Sequence, residues 1–107
     1  MAVTPYSEGG QLAAALADIL APSGVTFLVT GFTFYNTSST LDQTVTLAQK
    51  FGSSVRTIGT WKIPPLGSLS LTGGVDLPRL VVLTGDKFQG SATTATTVDW
   101  TAHYGKQ

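Results

Sequence analysis

At 107 residues, 42% of them hydrophobic, the chain has the size and apolar content of one folded domain and is too apolar for the disordered class. Its charged fraction of 11% is less than half the usual share of about 25%, so much of the surface must be Thr, Ser, Gly, Ala and Gln. Six basic residues balance six acidic ones without forming a basic stripe, which argues against nucleic acid, and the lack of cysteine removes disulfides, thiolate chemistry and zinc ribbons.

Residues 1–10 hold no Lys or Arg and contain Glu8, unlike the basic start of a signal peptide, and read as mature sequence. Pro5, Tyr6 and the Gly9-Gly10 pair suggest an amino-terminal arm reaching away from a β domain that spans residues 11–107. The apolar stretch 12–21 is interrupted by Asp18 and is well short of the roughly 20 residues that cross a bilayer, so no membrane partner is expected.

Residues 11–20 fit two patterns. Leu12, Leu16, Ile19 and Leu20 have helical spacing, while the same letters give short extended pieces with Leu16, Asp18 and Leu20 on one face. The extended reading is preferred because every later segment is strand-like and Pro22-Ser-Gly24 then supplies a turn. Residues 25–36 form the clearest long strand, whose apolar phase changes at Gly31 as a β-bulge would change it. After a turn at 36–40, residues 43–49 alternate with Val45 and Leu47 inward.

Residues 55–63 continue with Val55, Thr57, Gly59, Trp61 and Ile63 in one register, and stop at Pro64-Pro65. Leu69 and Leu71 share a face of the next strand, Gly73-Gly74 breaks it, and residues 80–83 are a short apolar run typical of a strand buried on both sides. A turn at 84–86 leads to strands over 87–92 and 96–104, the last with Val98, Trp100, Ala102 and Tyr104 inward. About eight short strands and short turns predict an all-β fold: a single antiparallel β-sandwich or jelly roll.

Residues able to do chemistry are few. His103, the single histidine, falls on the outward register of the last strand with no carboxylate among its sequence neighbours, and no elbow motif presents a serine. Glu8, Asp18, Asp42, Asp76, Asp86 and Asp99 are scattered over turns and strand ends, so no metal site is expected. Gly9-Gly10 and Gly73-Gly74 lack the flanking pattern of a phosphate loop. Trp61 and Trp100 suit a core better than a sugar-stacking platform. The expectation is a non-enzymatic domain without catalytic residues, cofactor or metal. A weakly charged surface and a small core favour self-association.

Four segments carry a family likeness: Gly31-Phe-Thr-Phe-Tyr-Asn-Thr37, Trp61-Lys-Ile-Pro-Pro-Leu-Gly-Ser-Leu69, Leu83-Thr-Gly-Asp-Lys-Phe88 and Ala92-Thr-Thr-Ala-Thr-Thr-Val-Asp-Trp100. In this order, over residues 24–104, the chain resembles the small β-sandwich structural proteins of tailed-bacteriophage virions. The resemblance implies a virion component assembled in the bacterial host cytoplasm. It would be a capsid decoration or cement protein, with a homo-oligomer, a trimer above other sizes, clamping the major capsid protein or another virion protein. The alternatives are a tail, neck or fibre-associated part, or a host-carbohydrate-binding module. In a cement protein the amino-terminal arm would contact the partner, with Val3, Thr4, Pro5 and Tyr6 as candidate contact residues, since an extended peptide can add to a sheet edge.

Overall fold

The computed structural model describes residues 4–20, 27–72, 80–82 and 87–106. Val3, the turns expected at 22–24 and 84–86, and the Gly73-Gly74 break lie outside the described residues.

Nine strands are formed among them: β1 (Thr4–Gln11), β2 (Ala17–Leu20), β3 (Phe27–Asn36), β4 (Gln43–Phe51), β5 (Ser54–Ile63), β6 (Ser68–Thr72), β7 (Leu80–Val82), β8 (Lys87–Ser91) and β9 (Val98–Lys106). One sheet runs β1-β9-β3-β6, with β7 also on β3; the other runs β2-β8-β4-β5. β6 pairs with residues 31–35 of β3 and β7 with residues 27–29. The two short strands therefore fill one position, and the nine strands make two four-position antiparallel sheets. The chain changes sheet at every connection except β4–β5 and β6–β7. That winding is a jelly roll, one of the two closures expected from the sequence.

The period-2 patterns explain the layers. Val29, Phe32, Phe34, Leu71, Val98, Trp100, Ala102 and Tyr104 of the first sheet are buried, as are Leu20, Val45, Leu47, Ile63 and Phe88 of the second. Phe32 meets Phe88 edge-on at 5.2 Å across the sandwich and lies parallel to Phe34 at 6.0 Å. Trp61 packs against this core and Trp100 is part of it, so both indoles are packing groups.

Three bulges set the phase of these strands. The expected break in β3 is present, between Val29 and Gly31. Two others correct the sequence reading. Ile19 is skipped between the pairs Asp18↔Gln89 and Leu20↔Phe88. Asp18 is therefore exposed while Leu20 is buried, and Leu16, Asp18 and Leu20 do not share a face. Ile58 is likewise skipped between Leu47↔Gly59 and Ala48↔Thr57, which turns it toward the core and puts Val55 and Thr57 out of phase with Trp61.

The arm is also corrected. Thr4–Gln11 does not reach away from the domain but runs antiparallel along β9 in unbroken register from Thr4↔Lys106 to Gln11↔Asp99. The physical reason is the free edge of β9: an extended peptide that can add to a sheet edge finds one in its own chain.

Candidate protein-docking surface

The jelly-roll winding brings four connections, residues 12–16, 92–97, 37–42 and 64–67, to one end of the sandwich, side by side in that order. Hydrogen bonds join each to the next. Leu12 N–H donates to Val98 O and Thr96 N–H to Leu12 O, and Ala92 N–H reaches Ala13 O. Thr37 N–H donates to Thr97 O, while Gln43 exchanges bonds with Thr94 through its amide nitrogen at 3.3 Å and its amide oxygen at 2.9 Å. Leu66 N–H donates to Ser38 O and Asn36 N–H to Gly67 O.

Asn36 and Gln43 are the hubs of this network, and both side chains are fully buried. Asn36 Nδ2 donates to the carbonyl oxygens of Leu41 (2.9 Å), Ile63 (3.1 Å) and Pro64 (3.2 Å), and its Oδ1 accepts from Ser38 N–H (2.9 Å). Among the described residues no buried side-chain nitrogen or oxygen lacks a partner. Loops bonded in this way behave as one rigid platform.

The platform carries apolar groups outward. Ala13, Ala14, Ala15 and Leu16 are exposed in succession, and Leu16, Leu41 and Leu66 are 40%, 60% and 56% exposed. A run of four exposed apolar residues is a liability unless something covers it. Asp42 is the single ionisable residue of the four loops, and Lys62 Nζ lies 3.2 Å from its carboxylate. Exposed Thr93, Thr94 and Thr96 stand between these leucines, so the end presents apolar groups among hydroxyls on a bonded frame, the mixed character of a protein-binding patch.

Backbone strain lies at the same end. The Gly67 N–H donates to Pro64 O, closing a four-residue turn in which Leu66 is the third residue with φ 55°. A proline followed by a residue of positive φ is the type II pattern, and glycine ordinarily takes that third place. A leucine there costs about 1–2 kcal/mol. Its exposed side chain recovers little of that by packing within the chain. Thr96, in the 92–97 loop of the same end, has φ 61°. Backbone strain of this kind clusters at functional sites.

Elsewhere the polar groups form local pairs. Lys87 Nζ (2.9 Å) and Gln89 Nε2 (2.8 Å) donate to the two oxygens of the Asp18 carboxylate; the Gln89 bond first and the Lys87 bond next hold this acid below its ordinary value. His103 is exposed, as expected, with Nδ1 3.2 Å from Ser7 Oγ on the open outer face of the first sheet. Glu8 lies on the opposite face of β1, and Asp99 is four residues along β9, roughly 13 Å away, so neither acid stands beside this pair. No group of three or more His, Asp or Glu that could hold a metal occurs among the described residues.

Of the residues singled out from the sequence as partner contacts, Thr4, Pro5 and Tyr6 pair with Lys106, Gly105 and Tyr104. They sit about 25 Å along the strand from the four-loop end. Leu16, Leu41 and Leu66 do not stand out as contacts in the sequence, because they lie in three separate loops that only the winding brings to one end. No protein-family model matches the chain, and no curated protein matches it in sequence.

Proposed function

We propose that the chain is a non-enzymatic structural protein that binds other protein subunits through its four-loop end. The observation that carries this reading is Leu66, exposed at a turn position where glycine would be free of strain. In the loops that carry Leu16, Leu41 and Leu66 the one ionisable residue, Asp42, is paired with Lys62, which favours a partner of low charge, and the weakly charged surface as a whole tolerates close packing with neighbours. The resemblance over residues 24–104 supplies the setting: a tailed-bacteriophage virion, in which the chain serves as an oligomeric capsid decoration or cement protein. Its partners are then its own copies, with a trimer as the favoured size, and the major capsid protein.

Co-sedimentation with shells of the encoding phage tests the reading. The wild-type chain is expected to bind in hundreds of copies per particle, and the Leu41→Asp/Leu66→Asp variant to bind at least tenfold more weakly with an unchanged far-UV spectrum. Undiminished binding by that variant would remove the four-loop end from the proposal. Failure of the wild-type chain to bind shells would remove the capsid role, and a dozen copies per particle would transfer it to the neck or tail.

A further inference from the structure

Among the described strands the sheet edges are β1 and the position shared by β6 and β7 in the first sheet, and β2 and β5 in the second. β2, β6 and β7 have 4, 5 and 3 residues, and β1 includes Pro5, which has no amide hydrogen to offer a neighbour. β5 has 10 residues, no proline and β4 as its one neighbour. Apart from that ladder, residues 54–62 make no main-chain hydrogen bond to another described residue. They are exposed except for the half-buried Ile58, Gly59 and Trp61. An open edge of this length is a template for another strand.

The bulge at Ile58 restricts which strand fits. Cross-strand partners share a face, so the register with β4 assigns each residue of β5 to one side of the sheet. Arg56, Gly59, Trp61 and Ile63 take the core side, opposite Gln49, Leu47, Val45 and Gln43, and Ile58 is turned the same way. Val55, Thr57, Thr60 and Lys62 take the outer side, opposite Lys50, Ala48, Thr46 and Thr44. This pattern is symmetric about the midpoint of Ile58 and Gly59: residues 58 and 59 face the core, 57 and 60 face out, 56 and 61 face the core, and 55 and 62 face out. Main-chain direction alternates with face in a ladder, so the groups turned away from β4 follow the same symmetry. An antiparallel strand that matches both patterns is a second β5.

From this symmetry we infer that β5 pairs antiparallel with β5 of a second copy, across a two-fold axis between Ile58 and Gly59, joining the second sheets of two chains into one. A slip of one residue would set outer groups against core-side ones. Two cations on an edge strand ordinarily discourage pairing, but in this register neither meets a like charge. Lys62, already paired with Asp42, stands opposite the second copy's Val55, and Arg56 stands opposite its Trp61. The Trp61 ring is drawn over its own Gly59, where a Cβ would lie 2.7 Å from it. It is thus placed at the middle of the contact, within reach of the second copy's Ile58 and Arg56. The contact is two-fold: it joins two chains, or two trimers, and is distinct from one that closes a ring of three. This inference rests on the self-association in the reading above and assigns it a surface.

Disulfide trapping tests it, because the chain has no cysteine of its own. Thr57 and Thr60 are exposed and lie roughly 10 Å apart along their own strand, too far for a disulfide within one chain. Across the two-fold axis each faces the other. Oxidised Thr57→Cys/Thr60→Cys is expected to run mainly as a covalent dimer on a non-reducing gel, with nothing larger, and either single variant to give less than about a tenth of that yield. Monomer alone from the double variant overturns the pairing, as does a ladder of larger species or an equal dimer yield from a single variant. Light scattering of the wild-type chain at the same concentration separates this failure from that of the underlying reading. A wild-type oligomer beside an untrapped double variant leaves self-association standing on another surface; a wild-type monomer removes self-association as well.

Discussion

The side-chain nitrogen of Asn36 donates to the carbonyl oxygen of Ile63 across 3.1 Å, joining the end of β3 in one sheet to the end of β5 in the other. The same nitrogen also serves Leu41 and Pro64, so two hydrogens are shared among three carbonyls. One buried amide thus fixes the loop with Leu41 and the turn with Leu66 in a single geometry.

Asn36→Ala is expected to cost about 2–4 kcal/mol, because its bonds to Ile63 O, Leu41 O and Pro64 O are lost together. Asn36→Asp should cost at least as much at neutral pH, since a carboxylate oxygen would then face three carbonyl oxygens. Urea denaturation of the two variants checks this. A loss under about 0.5 kcal/mol for both would mean that Asn36 does not hold the loops together.

Gly31 tests the close approach of β6 to β3. A Cβ at Gly31 would lie 2.7 Å from Leu71 O, a backbone atom in the neighbouring strand that cannot rotate aside. Gly31→Ala is expected to destabilise by about 1–3 kcal/mol, read as a lower denaturation midpoint with an unchanged slope. A neutral effect would show that β6 yields at that point.

Local alternation and local punctuation carry most of the fold in the sequence. Val98, Trp100, Ala102 and Tyr104 mark the inner face of β9, and the apolar phase change at Gly31 reveals a bulge, because both signals lie within a few consecutive residues. The bulges at Ile19 and Ile58 are not legible in this way: each exists relative to a partner strand, and β8 is about 70 residues from β2 in the chain. The pairing of Thr4–Gln11 with β9 has the same origin. An extended, glycine-containing segment reads as an arm until the strand it covers is known. The four-loop end is hidden most completely, since Asn36 reads as an ordinary turn former and its role depends on carbonyls 5, 27 and 28 residues away.

The Asp18 carboxylate gives the domain an acid-sensitive bond between β2 and β8. Hydrogen bonds from Gln89 and Lys87 lower its pKa from the ordinary 3.8, so the folded state binds the proton less readily than the unfolded chain. The stabilisation is complete above that ordinary value and is lost as pH falls through the lower folded value. Asp18→Asn should therefore lower the denaturation midpoint slightly at pH 7 and leave it unchanged near pH 2. Because the carboxylate is 48% exposed the effect is small. An equal gap between wild type and variant at both pH values would show that the carboxylate's charge contributes nothing.

Leu66→Gly separates stability from binding. Glycine removes the strain of φ 55° at the third turn position, worth about 1–2 kcal/mol, and loosens the unfolded chain by about 0.4–1 kcal/mol. The exposed leucine side chain contributes little packing to offset the change. The variant is therefore expected to fold with unchanged stability or a gain of up to about 1.6 kcal/mol, the difference of those two effects. Its binding to shells should fall about tenfold or more, since the apolar group that faces the partner is gone. Denaturation and co-sedimentation of the same preparation read both quantities. A loss of stability with binding intact would mean that Leu66 is held in its strained turn for the sake of the fold, and that the partner docks elsewhere.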